Sequence, residues 1–360
     1  MKEWNGILDE TLYTNIYNGY NWEGSILFDI ETTGFSPNNT MLYMIGYCYH
    51  RDNQWNYRIL FNDDGRSEYN IICQFLAELS GFQTMIHFNG DGFDIPYLAE
   101  KCQQYHSLGL TVPNADALEY TNSIDLYKLI KPFRNGLGFE NLKLKTIERA
   151  LGIQRKDTYN GGELIQVYHT FLQNPSEHAE QLLYQHNYED ILAMIPMLQL
   201  LSFQGISEHD WVIGNPIISD EAVTLPITLL RTLPLHYDYV TPYFAFHAYG
   251  TEALAQIPLL EGVLKYFFAD WKNYYYLPYE DKAIHKSLAT YVDSSSREKA
   301  KKATAYIKKE GRFFAFPSNF ADETIHLYKM DCKDNICYAD IEETDIHNID
   351  FWSGYLSHIL

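Results

Sequence analysis

The chain has 360 residues, 46% hydrophobic and 21% charged, a globular composition that excludes a disordered or fibrous protein and leaves room for two domains. With 27 Lys and Arg against 47 Asp and Glu, the net charge of -20 excludes a surface coated in cations for nonspecific nucleic-acid binding, though not a local basic track. The five cysteines, an odd number without a Cys-x-x-Cys pair, exclude a disulfide framework and a zinc knuckle and fit a reducing cytoplasm.

In chain order, Met1-Lys2-Glu3-Trp4 leads into no long apolar leader, and no later stretch reads as a membrane span, so the expectation is a cytoplasmic chain with no membrane partner. Apolar segments at 25–30, 41–50 and 55–61, punctuated by Asn38-Asn39 and Asp52-Asn53, predict an antiparallel meander. Ile71, Ile72, Phe75 and Leu76 fall at helical spacing and predict a helix over 67–79. Strands at 84–88 and 123–126 then alternate with helices at 94–103, 141–151, 162–172 and 176–201. This order predicts an α/β fold over residues 1–203, a mixed sheet flanked by helices. Beyond residue 203, strands at 222–229, 237–247 and 304–316, a helix at 280–292 and a hairpin turn at Lys309-Glu310-Gly311-Arg312 predict a strand-rich α+β region over 204–360.

Phe28-Asp29-Ile30-Glu31-Thr32-Thr33-Gly34 closes the first apolar run. Residues two apart on a strand share a face, so Asp29 and Glu31 aim at one point, and adjacent anions of this kind call for a cation between them. His87-Phe88-Asn89-Gly90-Asp91-Gly92-Phe93-Asp94-Ile95-Pro96 places Asp94 at or beside a helix N-cap after a turn. In His186-Asn187-Tyr188-Glu189-Asp190 the first and last residues lie within roughly 40° on one helical face. The four carboxylates, Asp29, Glu31, Asp94 and Asp190, are hard oxygen ligands suited to Mg²⁺ or Mn²⁺, and the imidazole of His186 is the candidate general base. Two such ions, roughly 3.5 to 4 Å apart, clamp the attacking and leaving oxygens of a phosphodiester.

These three ordered motifs resemble those of DEDD 3′–5′ exonucleases of the DnaQ-like, ribonuclease H-like superfamily, and are most similar to YprB-like ribonuclease H-like domain proteins. The resemblance covers about residues 20–203, with Ser123-Ile124-Asp125-Leu126 similar to the next core strand. It implies a ribonuclease H-like fold and metal-dependent hydrolysis of DNA or RNA, single-stranded, from a 3′ end. It also implies that Asp29, Glu31, Asp94 and Asp190 ligate two ions. The last motif departs from the common forms: His186 stands four residues before Asp190, where one subtype has Tyr, and Gln185 stands where the other has His. Asp125 reads as structural. The rival readings are a noncatalytic nucleic-acid-binding module of the same fold and a hydrolase of short oligonucleotides.

Between residues 265 and 312 eleven Lys and Arg stand against six acids, interleaved with Tyr266, Phe267, Phe268, Trp271, Tyr274, Tyr275, Tyr276 and Tyr279. Cations beside rings suit a strand of phosphates and bases. The candidate nucleic-acid contacts are therefore Lys272, Tyr275, Lys301 and Lys302, with Asn89 beside the second motif.

Overall fold

The computed structural model describes residues 1–8, 22–317, 320 and 325–360. The chain divides into two compact units, Met1–Gln204 with Leu233–Leu235, and Gly205–Thr232 with His236–Leu360. In the first, β1 (Lys2–Ile7), β2 (Ser25–Thr32), β3 (Leu42–Arg51) and β4 (Gln54–Phe61) are followed by α1 (Glu68–Leu79), β5 (Thr84–His87) and α2 (Asp94–Ser107). Then come α3 (Ala117–Tyr120), β6 (Asn122–Asp125), α4 (Leu126–Ile130), α5 (Leu144–Ala150), α6 (Gly161–Gln173) and α7 (Glu177–Met197). The sheet order is β1-β4-β3-β2-β5-β6. The meander β2-β3-β4 is antiparallel as predicted, β1 adds an unpredicted antiparallel edge, and β5 and β6 run parallel to β2.

Alternation along β2 builds both sides of the domain. Ile26, Phe28 and Ile30 enter the core with Ile71, Phe75 and Leu98 of α1 and α2, while Asp29 and Glu31 point to the opposite face. There α7 lies across β2 and β3, burying Leu183, His186, Asn187, Asp190, Ile191 and Met194 at helical spacing. Gly46 of β3, paired with Asp29, permits this approach: a Cβ there would stand 2.0 Å from Asn187 Oδ1 and 3.1 Å from Ile191 Cγ2. One correction concerns membranes. The segment Glu177–Ser207 is long and apolar enough to cross one by length and composition, but 72% of its apolar window is buried within the fold, as in a core helix.

From α7 the chain continues through a 3₁₀ segment, Leu198–Phe203, and one-turn α8 (Gln204–Ser207) into the second unit. Its strands are β7 (Trp211–Ile213), β8 (Ile217–Ile218), β9 (Ala222–Thr241), β10 (Phe244–Phe267), β11 (Tyr274–Leu277), β12 (Lys282–His285), β13 (Glu298–Lys299), β14 (Tyr306–Phe316), β15 (Leu327–Tyr328) and β16 (Cys337–Asp340). Two helices, α9 (Lys286–Ala289) and α10 (Ile349–Ser357), complete it. One sheet runs β15-β16-β14-β10-β9-β7 with β8 on β9, and a second runs β12-β11-β13. Trp352 and Tyr355 of α10 pack on Phe314 at ring distances of 5.5 and 5.9 Å.

Three local expectations fail in this unit. Residues 309–312 form no turn, because β14 pairs continuously with β10 from Tyr306 to Phe314. Lys309 is tied to Asp340 at 2.8 Å and to Glu343, and Arg312 to Glu342 at 3.2 Å. The segment 237–247 contains the turn between β9 and β10 rather than one strand, and 280–292 is split into β12 and α9 rather than one helix.

Candidate active site

Three features of the backbone bring the acids together. β2 pairs with β5 only from Ser25 to Leu27, so the Ile30 N–H has no strand partner and instead donates to Asp94 Oδ1 at 3.2 Å. Asp94 thereby reaches the strand between Asp29 and Glu31 from the first residue of α2. From α7, Asn187 Nδ2 donates to Asp29 Oδ2 at 3.1 Å, and His186 Nε2 stands 3.3 Å from Glu31 Oε1 and 3.4 Å from Asp190 Oδ2. Tyr43 of β3 donates to Glu31 Oε2 at 3.2 Å.

Burial and mutual repulsion leave these carboxyls short of positive charge. Asp29 is raised well above the usual carboxylate range by desolvation, then by Asp190, Glu31 and Asp94, with Arg155 opposing. Glu31 is pushed up to about 7, chiefly by burial, although His186 pulls it down. Asp94 is also pushed up to about 7 by burial, despite the Ile30 N–H. Burial works to lower the His186 imidazole, but Asp190, Glu31 and Asp157 together raise it.

Arg155 and Asp157, in the loop between α5 and α6, belong to the site without any local sequence signal. Asp157 Oδ2 accepts from His186 Nδ1 at 2.7 Å and from Lys145 Nζ at 3.2 Å. That fixes the imidazole with Nε2 toward the acids. Arg155 pairs with Asp190, with Glu148 Oε1 at 3.1 Å and with Glu189 at 3.7 Å. Glu189 also accepts the Lys156 and Asp157 N–H groups at 3.1 and 2.9 Å, which staples the loop to α7.

A second acidic group, His87, Asp91 and Asp125, surrounds the turn that presents Asp94. His87 Nδ1 accepts the Gly90 N–H at 3.0 Å, so Nε2 carries the proton and donates to Ser123 Oγ at 2.8 Å. Neither nitrogen is left for a metal. Asp125 Oδ1 accepts the Asn89, Tyr127 and Lys128 N–H groups at 2.8, 3.0 and 3.3 Å, holding the turn. Asn89 sits exposed there with φ 63°. Phe35 is 91% exposed, with its edge on Phe93, next in sequence to Asp94. Lys272 and Tyr275 line one cleft in the second unit, and Lys301 and Lys302 are exposed shortly after it in sequence.

A mixed sheet whose antiparallel meander β2-β3-β4 is continued by the parallel strands β5 and β6, with acids on β2, defines the class of ribonuclease H-like nuclease folds. Residues 26–202 match the model of the RNase_H superfamily, so the chain contains a domain of that superfamily. Comparison with curated proteins finds no match. Among solved structures, the family B DNA polymerase from the archaeon Pyrobaculum calidifontis is similar at 13% identity, TM-score 0.38, over 69% of this chain and 35% of that one. E. coli exonuclease I in complex with a dT13 oligonucleotide is similar at 11% identity, TM-score 0.30, over 56% of this chain and 54% of that one. A nuclease in apo form is similar at 17% identity, TM-score 0.27, over 52% of this chain and 88% of that one. The chain thus spans about a third of the polymerase and about half of exonuclease I.

Proposed function

We propose that this protein is a divalent-metal-dependent 3′–5′ exonuclease that hydrolyses phosphodiester bonds of DNA or RNA. The observation that carries this reading is the convergence of Asp29, Glu31 and Asp94 with the His186–Asp190 pair on one face of β2. The donor set suits Mg²⁺ or Mn²⁺. It is all oxygen and largely buried, and burial raises Asp29, Glu31 and Asp94 above the usual carboxylate range. Asp29, Glu31, Asp94 and Asp190 would hold the ions, which when bound supply Lewis acidity toward the scissile phosphate and its water.

The chain's own groups divide the remaining work. With Nδ1–H held by Asp157, His186 presents Nε2 as the acceptor for a proton from water. Asn187 and Tyr43 hold one oxygen each of Asp29 and Glu31, which restricts their rotation. The exposed Phe35 ring offers a stacking surface to a terminal base. Asp29→Asn is expected to abolish release of nucleotides from a 3′-labelled strand with Mn²⁺ present. Cleavage at the wild-type rate would refute the assignment.

One observation favours a second reading. The Arg155 guanidinium already pairs with Asp190, as it would in a noncatalytic nucleic-acid-binding module of this fold. Calorimetric titration with Mn²⁺ separates the two, since the module takes up no ion at millimolar concentration.

A further inference from the structure

Of the eleven cations between residues 265 and 312, several are committed elsewhere. Lys308 pairs with Asp281, Lys309 with Asp340 and Glu343, and Arg312 with Glu342. Lys272, Lys286 and Lys299 have no ion pair among the described residues, and the small sheet β12-β11-β13 collects them in one place. β11 is the central strand, with Tyr275 in register with Ile284 on one side and Lys299 on the other. Lys286 follows β12 directly, and Lys272 lies in the 3₁₀ turn that enters β11. These three lysines, with Trp271, Tyr274 and Tyr275, line a cleft of about 430 Å³ whose wall contains no carboxylate.

The rings are fixed rather than loose. Tyr274 is stacked on Phe268 at 4.0 Å and 11°. The Arg297 guanidinium lies over Tyr275 at 5.0 Å, and Lys272 lies 5.6 Å from the centre of the Trp271 ring. Three exposed ammonium groups at one cleft, with no ion pair among the described residues, give it a local positive potential in a chain of net charge -20, which suits an anion. Flat walls beside them suit an anion that carries a ring, and the volume is within the range of small-molecule sites.

We propose that this cleft binds a nucleotide unit, its phosphate among Lys272, Lys286 and Lys299 and its base against the tyrosine and tryptophan rings. The unit belongs to a single-stranded nucleic acid; that choice of source rests on the nuclease reading, whereas the phosphate-and-base chemistry rests on the cleft alone.

The test uses the full chain in EDTA, so that no strand is consumed. A 5′-labelled oligothymidylate is titrated by fluorescence anisotropy, and dTMP by calorimetry. The proteins are the wild type, the triple variant Lys272→Ala/Lys286→Ala/Lys299→Ala and its Lys→Arg counterpart, with melting curves to confirm folding. The alanine variant should bind the strand at least about tenfold more weakly and lose about 0.7 from the slope of log K against log salt, for the one phosphate held. The arginine variant should bind like the wild type. If only dTMP binding falls, the source in the proposal is overturned in favour of a free nucleotide. If the folded alanine variant binds both ligands within twofold of wild type, the site itself is overturned. Cleavage with Mn²⁺ is scored separately: strand binding that depends on these lysines without cleavage sinks the nuclease reading and leaves the cleft standing. Intact cleavage with lysine-independent binding does the reverse.

Discussion

Asp157→Asn tests whether His186 acts as a base held by its neighbour. The Asp157–His186 contact is 2.7 Å long, between side chains only 3% and 8% exposed, so water does little to weaken it. When His186 takes a proton, Asp157 stabilises the resulting imidazolium through a charge-assisted hydrogen bond, worth about 1.5–3 kcal/mol. At about 1.4 kcal/mol per tenfold in rate, removing the charge while keeping the shape predicts a fall in kcat of roughly 10- to 150-fold. The Tyr159 N–H reinforces the effect, because an amide turned to accept from His186 at the Oδ2 position presents its NH₂ toward that backbone donor, now 2.9 Å from Asp157 Oδ1. Asp157 touches none of the four proposed ligands, so Mn²⁺ affinity and KM should hold within about threefold. The assay is single-turnover cleavage of a 3′-labelled strand at saturating Mn²⁺, with calorimetry for the metal. A folded variant cleaving within twofold of wild type would refute the role of the pair.

Gly46→Ala forces a methyl group against Asn187, which is wholly buried and has no room to swing away; about 1–3 kcal/mol of stability should be lost in urea unfolding, with activity falling as α7 lifts from β2. An unchanged midpoint would show that the close approach does not matter. Arg155→Met leaves Glu148, Glu189 and Asp190 without their shared guanidinium, and breaking such a buried arrangement should cost about 3–5 kcal/mol in the metal-free protein. Thermal melting with and without Mn²⁺ checks it, and a loss under 1 kcal/mol at about this scale would contradict the reasoning. Glu31 and Asp94 are raised to about 7, so the folded metal-free chain holds protons that the unfolded chain has released. Their contribution to stability is full below the ordinary carboxylate range and declines as pH rises through about 7. Mn²⁺ replaces those protons, so its elevation of Tm should be larger at about pH 8 than at about pH 5.5. Equal elevation at both would count against these groups as ligands.

The acids were readable because each sits on a short periodic element. Strand parity put Asp29 and Glu31 on one face, and the four-residue helical repeat did the same for His186 and Asp190. Gly46 carried a weaker signal, since a glycine inside a strand marks a close approach, but nothing local says that α7 is what approaches. Arg155 and Asp157 had none: they lie in an irregular loop, and their partners in α7 are 29 to 35 residues away. Beyond residue 204, Pro234 and Pro258 fall inside β9 and β10, where their punctuation breaks two long strands into apparent fragments. Lys309-Glu310-Gly311-Arg312 has the composition of a turn, yet cross-strand pairing with β10 and the carboxylates of Asp340, Glu342 and Glu343 keep it extended.

Local charge balance connects the loop that the sequence concealed with the acids that it displayed. Arg155 is divided among Glu148, Glu189 and Asp190, so its charge is largely spent at one side of the cluster. His186 is likewise shared among Asp157, Glu31 and Asp190. Among the described residues Asp29 and Asp94 accept hydrogen bonds from neutral donors, the Asn187 amide and the Ile30 N–H, and these two together with Glu31 are the site carboxyls raised above the usual carboxylate range. A fold that required no cation would gain by replacing such residues with amides or apolar side chains, because a buried carboxyl without a counter-charge costs more than it contributes. Retaining three of them at one point, with a fixed imidazole opposite, makes structural sense for a site whose charge is completed from outside the chain.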